Sequence, residues 1–187
     1  MKAAVLAVQG DFIEHENMLR RLGVETMEIR QSADLSEPFD ALVLPGGEST
    51  VQGKLLNELD LMKPLHDKIA AGLPTLATCA GLILLAEHIE NDGSYLGTLP
   101  VTVRRNAYGR QLGSFYTESQ WQGIGKIPMT FIRAPFITAA DPTIVRATVD
   151  DHIVGVTYRN QIALSFHPEL NDDLRIYEQF IKMADRN

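Results

Sequence analysis

The stretch Thr75-Leu76-Ala77-Thr78-Cys79-Ala80-Gly81-Leu82-Ile83-Leu84-Leu85-Ala86-Glu87 decides the fold of this chain. It begins as a short apolar run, passes through the only cysteine of the sequence and continues as a strong helix former. This pattern predicts a strand, a sharp turn and a helix, with Cys79 at the turn. Unpaired backbone N–H groups at a helix N-terminus favour a thiolate, so Cys79 is a candidate nucleophile. The alternative is that Cys79 is an ordinary buried small hydrophobe.

Composition limits the classes of protein to be considered. The 187 residues, 45% of them hydrophobic and 22% charged, suit a single globular domain over residues 1–187. A single cysteine excludes an intramolecular disulfide, and the net charge of −7 disfavours binding to nucleic acid. Because the sequence has no secretory leader and no apolar run of the roughly 18 residues that a membrane helix needs, we expect a cytoplasmic protein.

The order of the apolar segments indicates the fold class. Continuous apolar runs at 3–8 and 41–44 are typical of strands buried on both faces, and a helical pattern covers 12–22. Asp11 is placed to cap that helix, and Gly23 to end it. Two more helical stretches follow before Cys79. This alternation predicts an α/β fold: a three-layer, doubly wound (flavodoxin-like), mostly parallel sheet with helices on both faces.

The second half of the chain differs in character. Short runs broken by Gly and Pro between Gly97 and Phe131 predict hairpins or sheet extensions with long loops. The expected fold therefore includes an added antiparallel extension in the second half of the chain. Three successive strands are expected over 144–149, 152–157 and 161–166. An amphipathic helix over 174–183 closes the chain.

His167-Pro168-Glu169 follows the last predicted strand. In extended backbone the side chains at i and i+2 point to the same side, so the imidazole and the carboxylate can lie side by side. His167 could then take the proton of a thiol while Glu169 fixes its tautomer. The alternative is a surface ion pair.

Pro45-Gly46-Gly47-Glu48-Ser49-Thr50 follows the predicted strand at 41–44. Two adjacent glycines permit positive φ and an exposed N–H, as an oxyanion-binding loop requires, although a simple tight turn is equally compatible. The segment is not a P-loop, because Glu48 replaces the first glycine and Leu55 replaces the Ser or Thr. It is not a Gly-x-Ser-x-Gly elbow either, because Val51 occupies the last position.

Six motifs occur along the chain in a characteristic order. They are Leu6-Ala7-Val8-Gln9-Gly10 with His15, Pro45-Gly46-Gly47-Glu48-Ser49-Thr50, Thr78-Cys79-Ala80-Gly81-Leu82, Arg105-Asn106-Ala107-Tyr108-Gly109-Arg110-Gln111, Phe131-Ile132-Arg133-Ala134-Pro135 and Phe166-His167-Pro168-Glu169. Together they resemble the glutaminase subunits of pyridoxal 5′-phosphate synthases, which are class I (triad) glutamine amidotransferases. The one departure is Ala77, where a glycine often precedes Thr-Cys.

This resemblance implies a function and a set of site residues. It implies hydrolysis of L-glutamine to glutamate and ammonia through a thioester on Cys79, with His167 and Glu169 completing the triad. Gly47 and Ala80 are the implied oxyanion hole. The implied glutamine pocket consists of Gly47, Glu48, Ser49, Arg105, Ile132 and Arg133. Without the resemblance, Arg105 would be interpreted as a solvated charge next to Arg104.

The resemblance also implies a partner, an α/β-barrel synthase subunit that receives the ammonia and makes pyridoxal 5′-phosphate. Glutaminase activity is then expected to be weak until the partner docks, with the Gln9-Gly10-Asp11 loop and the helix carrying His15 as plausible contacts. We expect no cofactor and no metal in this chain, since its five histidines show no ligand spacing.

Two rival functions stay open at this point. One is a different cysteine hydrolase on the same scaffold, such as a γ-glutamyl peptidase. The other is a redox-sensing or regulatory protein that uses Cys79 as an oxidisable thiol.

Overall fold

The structure, a computed structural model, describes residues 1–106 and 113–185. The motif residues Ala107, Tyr108, Gly109, Arg110 and Gln111 lie outside the described residues. The strands are β1 (Lys2–Leu6), β2 (Glu25–Ile29), β3 (Ala41–Leu44), β4 (Thr75–Thr78), β5 (Ala86–Ile89), β6 (Leu99–Arg104), β7 (Ser114–Trp121), β8 (Gly125–Ile132), β9 (Phe136–Ala139), β10 (Val145–Val149), β11 (His152–Tyr158) and β12 (Gln161–Leu164). The α-helices are α1 (Phe12–Arg21), α2 (Ser49–Glu58), α3 (Met62–Ala70), α4 (Ala80–Leu85) and α5 (Arg175–Ala184), and 3₁₀ turns cover Ser32–Ser36, Pro142–Ile144 and Pro168–Leu170.

The main sheet has the order β2-β1-β3-β4-β12-β11-β9-β6-β5, and β10 pairs with β11. The first five strands in this order are parallel, and β11, β9 and β6 then add antiparallel pairings. Strands β7 and β8 form a separate hairpin. The predicted doubly wound sheet with an antiparallel extension is therefore confirmed.

Helices cover both faces of the sheet, as the alternation of segments predicts. Leu56, Leu65 and Leu82, from α2, α3 and α4, belong to the hydrophobic cluster on one face. Leu19 and Phe180, from α1 and α5, belong to the cluster on the other face. Successive residues of the buried strands divide between the two clusters, which explains why these strands are apolar at every position.

One element differs from its prediction. The helical pattern after Cys79 extends to Glu87, but α4 ends at Leu85 and the chain continues as β5. Ala86 pairs with Leu99 of β6, so the sheet captures the end of the apolar run. Tertiary pairing here outweighs the local helix propensity.

Among the helices in the described ranges, none has both the length and the apolarity needed to cross a bilayer.

Candidate active site

Cys79 lies at a sharp junction between β4 and α4. Its backbone has φ 47° and ψ −99°, a conformation that L-residues rarely adopt, and its N–H donates to the Leu164 carbonyl over 2.8 Å. A Cβ on Gly81 would lie 2.1 Å from the Leu44 oxygen, so only glycine lets the first turn of α4 pack against β3. Cys79 is 7% exposed and lines a cleft. The predicted strand, turn and helix are therefore present, with the thiol at the turn.

His167 meets this thiol because β12 pairs in parallel with β4, which brings the ends of both strands to the same edge. The ring of His167 interacts with the Cys79 thiol and hydrogen bonds through Nδ1 to Glu169 Oε1 over 2.5 Å. The His167 N–H donates to the Thr130 carbonyl of β8, which fixes the backbone below the ring. Thiol, imidazole and carboxylate thus form one continuous line.

The backbone that joins His167 to Glu169 differs from its prediction. Residues Pro168–Leu170 form a 3₁₀ turn rather than the continuation of an extended strand. The two side chains still meet, because His167 itself stays outside the helical region and the tight turn folds Glu169 back under the ring.

Charge in this line is strongly coupled. Burial lowers the pKa of His167, but hydrogen bonds to Cys79 and Glu169 outweigh it and raise that pKa to about 10. Burial also opposes ionisation of Glu169, yet His15 and His167 lower the pKa of its carboxyl. The arrangement therefore favours an imidazolium held between the sulfur and an ionised carboxylate.

The Gly46-Gly47 loop is held by a network of hydrogen bonds. The Gly46 carbonyl accepts from the Asp11 N–H over 3.2 Å and from Gln52 Nε2 over 3.4 Å. Gln52 also donates to the carbonyls of Gln9 and Pro45. Because the peptide bond is trans, the Gly47 N–H points away from these donors.

Both glycines of this loop are required by space or by conformation. A Cβ on Gly46 would lie 2.5 Å from Cε1 of His167, and one on Gly47 would lie 2.5 Å from Gln9 Oε1. Gly47 also has φ 148°. Gln9 Oε1 accepts from the Glu48 N–H over 2.8 Å, so this side chain closes the loop from one side. The backbone can therefore approach a ligand closely beside the imidazole.

The cleft next to the thiol has a volume of about 320 Å³. Its lining includes every residue of the pocket predicted from the resemblance, namely Gly47, Glu48, Ser49, Arg105, Ile132 and Arg133, together with Gln9, Asp11, Cys79, Ile83, Asn106, Pro135 and His167. Ala80 is buried beside Cys79 at the first position of α4, where the N–H has no intrahelical acceptor.

Arg105 is not simply a solvated charge. Its Nη1 lies 2.7 Å from Asp92 Oδ2, and its Nη2 donates to the Tyr95 hydroxyl over 2.9 Å. Its Nε is buried and has no hydrogen-bond partner among the described residues. Arg104, in contrast, is exposed and pairs with Glu90. Arg105 therefore presents a fixed guanidinium at the cleft.

Asp11 occupies a different role from its prediction. It stands at the N-cap position of α1, but its side chain makes no capping hydrogen bond. Its Oδ2 lies 3.5 Å from His167 Nδ1 instead, and burial raises the pKa of its carboxyl. Ligand atoms of Asp11, His167 and Glu169 lie within 4.8 Å of one another. Nδ1 of His167 is already bonded to Glu169, so a metal there would have to break the line of three side chains.

Sequence reasoning missed several residues that support the site. They are Gln52 at the glycine loop, Asp92 and Tyr95 at Arg105, and Tyr177 at His15. Gln9, Thr78 and His15 belong to the quoted motifs, but the motifs do not predict their contacts in the site. The spacing of His15 from Met18 and Leu19 does indicate the buried face of α1. The other residues carry no local signal.

Comparison with protein families gives an independent result. The family model described as "SNO glutamine amidotransferase family" matches residues 5–186.

Curated relatives match over nearly the full length. A "Pyridoxal 5'-phosphate synthase subunit PdxT" of Desulfitobacterium hafniense (strain DSM 10664 / DCB-2) is 61% identical over 183 residues, which cover 97% of this chain and 92% of the relative. A protein with the same description from Streptococcus pneumoniae (strain CGSP14) is 50% identical over 189 residues, covering 98% and 97%.

Solved structures share the fold. One described as "Crystal structure of glutamine amidotransferase" superimposes with a TM-score of 0.92 at 40% identity and covers 98% of both chains. A chain of PurLQS from Thermotoga maritima reaches a TM-score of 0.71 at 16% identity, covering 99% of this chain and 95% of that one, which indicates similarity of fold alone.

Proposed function

The chain belongs to the SNO glutamine amidotransferase family, and on this premise we propose that it is the glutaminase subunit of a pyridoxal 5′-phosphate synthase. It hydrolyses L-glutamine to glutamate and ammonia, and residues 1–187 act as one amidotransferase domain. The observation that carries the assignment of the site is the line Cys79, His167 and Glu169, beside a glycine loop and a cleft of about 320 Å³.

In the proposed first step, the Cys79 sulfur attacks the side-chain amide carbon of glutamine and a carbon–sulfur bond forms. His167, protonated by virtue of its raised pKa, gives its proton to the amide nitrogen. The carbon–nitrogen bond then breaks and ammonia leaves. Glu169 stabilises the imidazolium before the transfer and fixes the ring afterwards.

In the second step, water attacks the γ-glutamyl thioester and gives one proton to the now neutral His167. The carbon–sulfur bond then breaks and the sulfur leaves as a thiolate. Glutamate is released with the oxygen of that water in its side-chain carboxylate, and His167 is again a cation next to the sulfur. Both steps pass through a tetrahedral oxyanion.

The oxyanion is assigned to the backbone N–H groups of Gly47 and Ala80. Ala80 is at the N-terminus of α4, where its N–H is free to donate. The orientation of the Gly47 N–H depends on the Gly46 carbonyl, which Asp11 and Gln52 hold. One such donor contributes about 3 kcal/mol to lowering the barrier, so this single peptide can switch the activity.

Recognition of glutamine is assigned to the other cleft residues. Arg105, which Asp92 and Tyr95 hold in place, lines the cleft with a guanidinium that suits the α-carboxylate of the substrate. Glu48 supplies a carboxylate for the α-amino group. Ser49, Ile132 and Arg133 line the remaining wall, Ile132 acting through its main chain.

The proposed partner is an α/β-barrel synthase subunit that receives the ammonia internally. In bulk water most of the ammonia would become ammonium and lose its nucleophilicity, so transfer within a complex keeps it reactive. Exposed Ile13 and Val51, on α1 and α2, provide apolar surface near the Gln9-Gly10-Asp11 loop for such a partner.

Ammonia release from glutamine, measured with and without the synthase subunit, tests this function. The native chain with its partner should release ammonia and glutamate in equal amounts, and Cys79→Ala should release neither. The substitution His88→Gln, on an exposed strand position, serves as the control. Ammonia release that survives Cys79→Ala, or that is absent from the native complex, would overturn the proposal.

A further inference from the structure

A second histidine lies behind the triad, on the side away from the cleft. His15 is completely buried on α1, and its Nε2 lies 3.5 Å from Glu169 Oε2. The same nitrogen lies 3.1 Å from Oγ1 of Thr78, the residue before the nucleophile. On the other side of the ring, Nδ1 is 2.7 Å from the Tyr177 hydroxyl. His15 therefore joins α1, α5, the end of β4 and the turn that carries Glu169.

The second carboxylate oxygen of Glu169 lies next to this histidine. Oε1 is bonded to His167, whereas Oε2 is buried and has no hydrogen-bond partner in the described part of the chain. An ionised carboxylate oxygen without a donor is costly in a buried site. Nε2 of His15 lies 3.5 Å away and can supply an N–H to compensate it.

The surroundings determine the tautomer and charge of His15. Burial lowers the pKa of His15, although the nearby Glu169 and Asp11 carboxylates oppose this, and the net shift favours a neutral ring. Burial raises the pKa of Tyr177 well above its usual value, which favours a protonated phenol. A bare lone pair on Nε2 would face the Glu169 carboxylate, which is repulsive. A proton on Nε2 avoids this repulsion and leaves Nδ1 to accept from the Tyr177 hydroxyl.

We propose that His15 is a positioning residue for the glutaminase reaction: its Nε2–H holds Glu169 Oε2 in place and links the carboxylate to the strand end that carries Cys79. Because His15 is neutral, it orients the carboxylate without cancelling its charge, which remains available to His167. This inference rests on the proposed function of the triad. His15 touches no substrate and is not a catalytic residue.

The test compares His15→Leu, which keeps bulk but removes the donor, with His15→Gln, whose side-chain amide can donate to Glu169. In the complex with the synthase subunit, His15→Leu should lower kcat by about tenfold to a hundredfold with KM nearly unchanged, because a buried charged group loses its donor. His15→Gln should recover most of kcat, and His88→Gln should match the native protein.

Alkylation of Cys79 by iodoacetamide in the isolated chain gives a readout that does not require glutamine. His15→Leu should slow this reaction, since His167 is no longer held in line, and His15→Gln should restore it. If the native complex releases no ammonia while these alkylation rates differ, the proposed function fails and the positioning role stands.

Nitrogen chemical shifts of the imidazoles in the native chain cover the case in which His15→Leu does not fold. A neutral His15 protonated on Nε2 at pH 7 is expected. A charged ring, or a proton on Nδ1, would overturn the proposal. It would also be overturned by folded His15→Leu with native kcat and alkylation rate, or by folded His15→Gln as impaired as His15→Leu.

Discussion

Gly46 and His167 are in such close contact that a Cβ on the glycine would lie 2.5 Å from Cε1 of the imidazole. Something must move if that atom is added, and the ring is the softer neighbour, because the loop backbone is held by Asp11 and Gln52. We expect Gly46→Ala to leave a folded protein whose imidazole is displaced from the thiol. Ammonia release in the complex should fall by about a hundredfold, in line with the sensitivity of catalysis to small misplacements.

Gly93→Ala is the matched control, since a Cβ there meets nothing within 4 Å. Native activity in Gly46→Ala would show that the ring and loop adapt to each other without cost.

The backbone of Cys79 provides a test of strain. With φ 47° and ψ −99°, this position favours glycine over alanine. Cys79→Gly should therefore unfold at higher denaturant concentration than Cys79→Ala, by about 1 to 3 kcal/mol in the free energy of unfolding. A more stable Cys79→Ala would mean that the turn carries no backbone strain.

His15 should make the stability of the protein depend on pH. Burial lowers its pKa in the folded state below the unfolded value of about 6.5. Below that pH the unfolded chain binds more protons, so the contribution of neutral His15 is present above about pH 6.5 and is lost as the pH falls. The free energy of unfolding should drop by up to about 1.4 kcal/mol per pH unit for this one group.

Comparison with His15→Gln isolates this effect, because glutamine does not titrate. The difference between the two unfolding curves should shrink or reverse from pH 7 to pH 5. A difference that stays constant over this range would show that His15 keeps the same charge in both states.

The pKa of His167 is shifted upward, in contrast to that of His15. It is raised to about 10, so the ring stays protonated at pH 8, and Glu169 is one of the groups that raise it. Glu169→Gln removes the opposite charge while keeping the shape, and the pKa of His167 should fall. Imidazole NMR titration measures this directly. An unchanged titration midpoint would remove Glu169 as a source of the shift.

Arg105 offers a test of substrate recognition. Arg105→Lys retains the charge but loses the fork that Asp92 and Tyr95 hold and the Nε that faces no protein partner. KM for glutamine should rise by about tenfold or more, with a smaller effect on kcat, because a charged hydrogen bond to the carboxylate is lost. Arg104→Lys, at an exposed position, should leave both constants unchanged. Equal effects of the two substitutions would rule out a specific role for Arg105.

The parallel sheet and the position of the thiol could be predicted because continuous apolar runs and a small-residue turn are local signals. The strand predicted over 41–44 agrees with β3 (Ala41–Leu44) to the residue. The predicted meeting of His167 and Glu169 also occurs, although through a 3₁₀ turn rather than an extended strand.

Other features depend on contacts that no local pattern records. The early end of α4 results from pairing with β6, which a strongly helical apolar run does not reveal. Tyr177 lies on the apolar face of α5, and the pattern predicts only a core residue there. Its hydrogen bond to His15 depends on the packing of α1 against α5, which the sequence pattern does not show. The sequence pattern predicts an exposed polar residue at Gln52 on α2, but this side chain is fully buried at the glycine loop.

The hydrogen bond from the Cys79 N–H to the Leu164 carbonyl ties together two neighbouring strands that are distant in sequence. During synthesis, the thiol emerges from the ribosome long before the strand that supplies its base. A nascent chain, or one truncated before β12, therefore carries a sulfur with no imidazole beside it. The three side chains can therefore come together only after the last strand of the sheet has paired with β4.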